Sequence, residues 1–173
     1  MKTSQLSEHE YNPYYKAYIE ALGEVELMDT LKKQLNNFPK FLSSIPNETL
    51  SYRYAEGKWS VAEVLIHITD TERVFQYRAL RFARKDETPL PGFDQDAYVP
   101  FSLANNRSID GVINEYKSVR QSTIALYETF DEAILKQKGI ASNAAMSVGA
   151  LGFIICGHQR HHRNILKERY LKA

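Results

Sequence analysis

Three of the five histidines in this sequence lie in one short stretch near its C-terminus, at His158, His161 and His162. His158 and His162 are four residues apart, and both fall on a stripe of apolar positions that repeats every three or four residues. Because four residues advance a helix by about 6 Å and return to nearly the same face, two imidazoles at this spacing can reach one cation. The residues between them lack the glutamate of the H-E-x-x-H motif, which disfavours a zincin-type peptidase.

A third metal ligand is predicted at His67, beside the inward-facing Val64 and Ile68 of an earlier helix. Three neutral imidazole nitrogens suit Zn, Ni, Fe or Mn and leave coordination positions open for water or substrate. The alternative for each histidine is an ordinary core residue with a hydrogen-bond partner, because an unpaired buried group costs about 1–3 kcal/mol. His161 lies on the flank of the same stripe and could also pair with His158 at i, i+3. We favour His162 as the ligand and expect His161 to lie at the rim of the site or behind the ligands.

Other side chains near these histidines have predicted roles of their own. Asp70 is expected to orient one of the imidazoles, as carboxylates behind metal ligands often do, with an exposed helix charge as the alternative. Glu72 lies nearer the apolar side of the helix and is expected to pair with Arg160 or Arg163. Trp59 is predicted to anchor the start of its helix rather than to line the site.

Arg78 and Arg81 are candidates for binding an anionic substrate or the carboxylate of a thiol cofactor, with solvated or salt-bridged helix charges as the alternative. Tyr98 and Phe101, in a long interior link, are the candidates for a lid over the site. Cys156 lies about 200° around the helix from His158, so we expect it to be a small packing residue rather than a metal ligand or a nucleophile.

Helical periodicity dominates the rest of the chain, and strand alternation is nearly absent. Ser60 and Glu63 have the spacing of a capping box, and Ser108 and Ser147 are placed to cap two later helices. Pro39 lies inside the first helical pattern and predicts a kink or a break there. Residues 11–22 are expected to form a strap packed on the bundle, and the stretch around Gly139 is expected to be irregular. The predicted long helices span residues 24–43, 61–84, 109–130 and 148–170.

The link over residues 85–107 constrains the topology. Short loops force neighbouring helices to be antiparallel, whereas a link of this length can recross the bundle and let two successive helices run parallel. The sequence therefore predicts an all-α fold: one domain over residues 1–173, built as an up-down-down-up four-helix bundle with a long crossover loop. Long interior loops are often functional, which favours a lid in this segment.

The amino-acid composition limits the kinds of partner that we expect the protein to bind. The chain has 22 Lys and Arg against 21 Asp and Glu, a net charge of +1, so no long-range basic field favours nucleic acid. One cysteine cannot form an intramolecular disulfide, and neither a signal peptide nor a membrane-spanning apolar run is recognised. We expect a cytoplasmic protein that acts on a small molecule without membrane contact, and apolar helix faces beyond the core would permit a homodimer.

Three segments together resemble the DinB-like (YfiT-like) superfamily of metal-dependent enzymes, and the resemblance covers residues 11–171. The segments are GKWSVAEVLIHITDTERVFQYRALRFAR, PLPGFDQDAYV and SVGALGFIICGHQRHHRNILKERYL. The resemblance implies an up-down-down-up bundle with a metal held by three histidines, which map to His67, His158 and His162. Among the activities that it implies are thiol S-transfer with bacillithiol or mycothiol, a mycothiol-dependent maleylpyruvate isomerisation, and hydrolysis.

Residues and resemblance together predict a metal-dependent enzyme in which a tris-histidine site activates water or a low-molecular-weight thiol as a nucleophile. Transfer to an electrophilic carbon and hydrolysis of an ester or amide are the two predicted reaction types. A non-catalytic metal-binding, stress-associated protein is the alternative from a different class. No catalytic residue beyond the ligands is assigned from the sequence.

Overall fold

The computed structural model describes residues 1–171 of the chain. Four long helices form the bundle, and shorter elements connect them. Three short α-helices lie in the connections, and a two-stranded antiparallel hairpin precedes the last long helix. The elements are α1 (Lys16–Glu20), α2 (Leu27–Ser43), α3 (Val61–Ala83), α4 (Gln95–Tyr98), α5 (Ile109–Tyr127), α6 (Glu132–Leu135), β1 (Lys138–Ala141), β2 (Ala144–Ser147) and α7 (Val148–Ile165), which continues as a π-helical turn, Leu166–Tyr170.

The three predicted serine caps begin α3, α5 and α7. Ser60 Oγ accepts from the Glu63 backbone N–H at 3.2 Å, and the Glu63 carboxylate accepts from the Ser60 N–H at 2.7 Å, which completes the capping box. Ser108 and Ser147 accept from the N–H groups three residues further along. These hydrogen bonds satisfy backbone donors that a helix start leaves free, which explains why the sequence located these three starts correctly.

The four long helices run up-down-down-up, as predicted. Side-chain contacts advance in the same direction along α3 and α5, and along α2 and α7, so each of these pairs is parallel. Contacts between α2 and α5 advance in opposite directions. The contacts that define these directions are Arg73–Glu115 and Gln76–Ser122 for α3 and α5, Gln34–Cys156 and Phe41–Arg163 for α2 and α7, and Phe38–Tyr116 and Lys32–Glu128 for α2 and α5.

A polar layer crosses the middle of the bundle between two apolar clusters. One cluster includes the start of α2, the end of α3 and the first part of α7, and the other includes the end of α2 and the start of α3. Between them, α2 contributes Gln34, α3 contributes Glu72, α5 contributes Arg120, and α7 contributes His158 and His162. Polar side chains from all four long helices therefore lie in one layer of the bundle.

The first long helix begins three residues later than predicted, at Leu27, and the third ends three residues earlier, at Tyr127. Two further differences concern the kind of element. The stretch around Gly139 is a β-hairpin, whose turn residues Ser142 and Asn143 both have positive φ. Leu90 of the crossover link hydrogen-bonds to the hairpin through the Ile140 carbonyl and the Ser142 N–H, so the hairpin also anchors that link. In α2 the helix continues through Pro39 to Ser43, so the predicted break there is wrong.

Gly139 allows the hairpin to lie close against α3. A Cβ on Gly139 would lie 2.1 Å from the Phe82 ring of α3, so only glycine lets this strand approach the helix so closely. The glycine can be read from the sequence, but the reason for it cannot, because it is a contact with Phe82, which lies far away along the chain. Within residues 1–171, no helix combines the length and apolar character needed to cross a membrane.

Candidate metal centre

Three histidines converge where α3 meets α7. The Nε2 atom of His158 lies 3.0 Å from Nε2 of His67 and 3.1 Å from Nε2 of His162. Potential ligand atoms of the three side chains all lie within 4.8 Å of one another. The structure thus brings together the three residues that the sequence predicted as ligands, although His67 and His158 are ninety-one positions apart in the chain.

The spacing of these nitrogens fits a transition metal. Metal–imidazole bonds of about 2.0–2.1 Å at angles between about 90° and 110° place ligand nitrogens about 2.8–3.4 Å apart. A single hydrogen can join only two of the three nitrogens, so a hydrogen bond alone leaves a third lone pair facing the others. The donor set and its geometry therefore fit one divalent cation with positions left open.

Burial keeps these imidazoles in the form that binds metal. Desolvation lowers the pKa of His67 to about 4. Desolvation, followed by repulsion from His67 and His161, lowers the pKa of His162 to about 3. Desolvation also holds the pKa of His158 well below its usual range, with the neighbouring histidines adding to the effect. At neutral pH the three rings are uncharged and can offer a lone pair.

Two aromatic side chains hold the histidine rings in place. The Trp59 ring lies 4.8 Å from the His67 ring, so the prediction that Trp59 would not line the site is wrong. Tyr18 of the N-terminal strap meets His158 and His161 edge-on, at 5.7 and 5.1 Å between ring centroids. Gly157 makes this possible, because a Cβ there would lie 2.2 Å from the Tyr18 carbonyl oxygen. Tyr18 was missed because its role depends on how the strap packs.

The residue beside the His67 ring is Thr71 rather than Asp70. Thr71 Oγ1 lies 3.4 Å from His67 Nδ1, the nitrogen that faces away from the cluster. Asp70 instead accepts a hydrogen bond from Arg73 at 3.1 Å, so the predicted orienting role of Asp70 is wrong. Thr71, four residues after His67, lies on the same face of α3, the face that packs against α7. Asp70 is rotated away from that face towards solvent. His161 lies half-buried beside the His162 ring, outside the set of converging nitrogens.

Arg78 and Arg81 lie far from the histidines. Arg78 is eleven residues beyond His67, about 16 Å along the helix. It is buried, donates to the Pro91 carbonyl at 3.1 Å and to Ser142 Oγ at 3.0 Å, and so holds the crossover link against the hairpin. Arg81 pairs with Asp86. Arg81 thus matches the salt-bridged alternative, and neither arginine lies where it could bind a substrate at the histidine site.

Glu72 forms an ion pair with Arg120 of α5 and not with Arg160 or Arg163. Arg120 donates through Nε and Nη2 to the two Glu72 oxygens at 2.6 and 2.8 Å, and its Nη1 donates to Gln34 Oε1 at 2.7 Å. Thr123 Oγ1 also donates to Glu72. All of this network is buried or nearly so, and it lies on the opposite side of α3 from the crossover link.

The crossover link covers the outer side of His67. Tyr98 shares a small cavity with His67 and Asp70, and its ring packs against Phe93 at 5.5 Å between centroids. Phe101 points into solvent and is 87% exposed. Tyr98 thus lies where a lid residue would, while Phe101 makes no contribution to the cavity around His67.

A cleft of about 300 Å³ opens above His161 and His162. Its walls combine aromatic rings with two cations and one carboxylate, which gives it a mixed character suited to a small polar molecule. The lining includes Tyr54, Lys58, Trp59, Asp96, Arg169 and Tyr170. Buried Cys156 is absent from this lining, and burial raises its pKa to about 12.

Known proteins resemble the chain in sequence and in fold. The profile of the DinB superfamily matches residues 30–166. A protein from Oceanobacillus iheyensis, named "Putative metal-dependent hydrolase OB0413", is 25% identical over 139 residues, which are 79% of this chain and 79% of that protein. A solved structure of YfiT from Bacillus subtilis, described as "a probable metal-dependent hydrolase with an unusual four-helix bundle topology", superposes with a TM-score of 0.67 at 18% identity, over 95% of this chain and 90% of that one.

Proposed function

The chain belongs to the DinB superfamily, and we propose that it is a metal-dependent enzyme in which His67, His158 and His162 hold a divalent transition metal. The observation that carries the proposal is the convergence of three neutral Nε2 atoms at 3.0–3.1 Å in the polar layer. The name of the Oceanobacillus relative, a metal-dependent hydrolase, supports the same class.

The metal would be Zn, Ni, Fe or Mn, because imidazole ligands suit all four. Such a metal, when bound, lowers the pKa of a coordinated water or thiol and so supplies a nucleophile at neutral pH. The protein contributes the fixed geometry of the three rings. Trp59 and Tyr18 hold the rings by packing, and Thr71 beside His67 Nδ1 favours the tautomer whose Nε2 lone pair faces the metal.

The cleft over His162 is the proposed substrate site. Lys58 and Arg169 give it a positive side that would attract a carboxylate or another anionic group of the substrate. Asp96, on α4 of the crossover link, is the carboxylate in the lining, and we assign it the uptake of the proton that the nucleophile loses. His161, at the rim, can exchange protons between the cleft and solvent.

The nucleophile in this proposal is water for hydrolysis of an ester or amide, or a low-molecular-weight thiol for transfer to an electrophilic carbon. A protein thiol is unsuitable, because Cys156 is buried and its pKa is about 12. The thiol would therefore be a second, diffusible cofactor. Water needs no cofactor beyond the metal, and it matches the hydrolase name of the relative.

The first test is elemental analysis of the purified protein and of four single variants. We expect His67→Ala, His158→Ala and His162→Ala each to lose the metal, while His9→Ala, an exposed histidine remote from the site, keeps it. Retention of wild-type metal content by His67→Ala and His158→Ala would show that the ligand assignment is wrong.

The second test separates catalysis from metal storage. Protein loaded with each metal is assayed against ester and amide substrates, and against a haloarene or epoxide in the presence of low-molecular-weight thiols. We expect metal-dependent turnover in one arm, which is lost in His158→Ala and reduced in Asp96→Asn. Full metal occupancy with no turnover in any arm would favour the non-catalytic, stress-associated alternative.

A further inference from the structure

Two adjoining grooves follow the line between α2 and α7, on the side of α7 away from the histidine cleft. Their volumes are about 450 and 820 Å³. Asn37 and Arg163 line both grooves, so the two form one continuous surface, which we call the basic groove. None of the three converging histidines lines it.

The basic groove gathers cations that have no acidic partner. Glu26 and Asp29 lie at one end of the first groove, and no carboxylate is among the residues that line the second. Within residues 1–171, no ion pair involves any of the cations in the lining. These cations are Lys33, Lys40, Arg160, Arg163 and Lys167.

Arg163 stands at the centre of this surface with an unused donor. Its Nε is buried and has no hydrogen-bond partner among the described residues. Its guanidinium lies over the Phe41 ring at 5.4 Å, and the Lys167 ammonium lies 5.8 Å from the centroid of the same ring. Phe41 therefore holds two cations side by side, an arrangement that an anion bound between them would stabilise.

Neutral donors surround these cations. Gln159 is 3% exposed and lines the groove, as do the carboxamides of Asn37 and Asn164. Carboxamide N–H groups and guanidinium N–H groups are the donors that bind phosphate and carboxylate oxygens. The groove thus combines positive charge with hydrogen-bond donors whose geometry is fixed by two helices.

We propose that the basic groove binds a compact oxyanion that carries several negative charges on phosphate or carboxylate groups. The length of the cluster sets the size of the ligand. Lys33 and Lys40 are seven residues apart on α2, and Arg160 and Lys167 are seven apart in α7 and its terminal turn, so the cations span about 10 Å. A small di- or triphosphate, or a tricarboxylate, matches this span. The site is separate from the metal centre and does not depend on the proposed function.

The test is isothermal titration of the full-length protein with pyrophosphate and, separately, with citrate, at low ionic strength. Each titration is run on protein as purified and again after chelator treatment and dialysis, because both anions also bind metals. We expect saturable binding that survives metal removal and weakens as salt rises. The tighter of the two probes identifies the phosphate or the carboxylate class.

Matched arginine variants locate the binding. We expect Arg163→Gln to weaken binding at least about tenfold and Arg84→Gln, an exposed arginine at the C-terminal end of α3, to change it less than about twofold. Thermal unfolding confirms that each variant is folded, and Lys33→Gln, an exposed substitution, should weaken binding severalfold without any effect on folding. Arg169→Gln, in the histidine cleft, shows whether the probes bind there instead. No saturable binding of either probe, or loss of binding in Arg169→Gln but not in Arg163→Gln, would overturn the proposal.

Discussion

Two buried polar sites lie in the same layer of the bundle, and they differ in how their hydrogen bonds are satisfied. In the Glu72–Arg120 network, both carboxylate oxygens accept from the guanidinium, and Thr123 and Gln34 complete the pairing. In the histidine cluster, three nitrogens of the same kind face one another, and the single hydrogen or lone pair on His158 Nε2 can serve only one of its two neighbours. The first site is complete without a ligand, whereas the second has a donor set that fits a cation.

This difference assigns the two sites to different tasks. A buried ion pair with all its partners links helices in one register, and its removal leaves an uncompensated charge. Converging nitrogens that are left without partners are expected to destabilise the folded chain, so the proposed metal would contribute to stability when it binds them. Gln34 ties α2 to both α5 and α7 by pairing with Arg120 and with the Cys156 carbonyl, which extends the first network across all four long helices.

The largest effect that separates the two sites is expected for His158→Ala. His158 is the central nitrogen of the cluster, and loss of a group that merely supports a ligand already lowers metal affinity about 10–100-fold. We therefore expect His158→Ala to lower the affinity at least about 100-fold, measured by competition with a chromophoric chelator. Unfolding of the metal-free variant in urea should be no easier than that of the metal-free parent. A variant that keeps its metal but unfolds early would reverse the roles assigned to the two sites.

The opposite behaviour is expected for Glu72→Ala. Removing the carboxylate leaves Arg120 buried and unpaired, which should cost about 3–5 kcal/mol in the free energy of unfolding. Metal stoichiometry should stay unchanged. Glu132→Ala, which removes an exposed ion pair with Lys136, serves as the control and should destabilise the protein far less than Glu72→Ala does. Equal destabilisation in the two variants would show that the buried network adds nothing specific.

The sequence predicted the histidine cluster better than it predicted the ion-pair network. The i, i+4 spacing of His158 and His162 is a property of one helix, and His67 is the one other histidine on an inward-facing stripe. The partner of Glu72 depends instead on how α3 and α5 align, and Arg120 lies forty-eight residues away. Local spacing therefore identified the histidines that converge, but it could not select one arginine among several.

The same limit explains the other differences from prediction. The hairpin turns at Ser142 and Asn143, which adopt positive φ without the Asn-Gly signal that marks such turns in a sequence. The net charge of +1 gives no indication of the basic groove, because the cations of the groove come from α2 and α7 and lie together only in the folded bundle. Helix starts were predicted well because the serine caps act over three residues.

Lowering the pH should destabilise the metal-free protein through the histidine cluster. We expect this effect to be smaller than those of His158→Ala and Glu72→Ala. The pKa of His67 is about 4 in the folded chain, below the usual value of 6.5, because burial disfavours the charged ring. Between these values the unfolded chain binds the extra proton and the folded chain does not, so stability is full above pH 6.5 and falls as the pH is lowered towards 4. The loss from His67 alone amounts to roughly 3 kcal/mol in the metal-free protein.

Urea unfolding of the metal-free protein at several pH values measures this loss, and His67→Gln is the matched variant. Its stability should fall less steeply between pH 6.5 and 4 than that of the parent. The ion pair of Glu72 remains in both proteins, so the difference in slope reports on the histidine cluster alone. Identical slopes would show that His67 takes up its proton in the folded chain as easily as in the unfolded one.

The smallest effect is expected at Thr71, which precedes Glu72 in the sequence and belongs to the other site. Its Oγ1 lies 3.4 Å from His67 Nδ1, so Thr71→Val keeps the shape of the side chain but removes the group that favours the metal-binding tautomer. We expect metal affinity to fall about tenfold, with the free energy of unfolding of the metal-free protein changed by less than about 1 kcal/mol. Thr71→Ser restores the hydroxyl and should recover most of the affinity. If Thr71→Ser binds metal as weakly as Thr71→Val, the threonine acts through its methyl packing and the hydroxyl does not orient the ring.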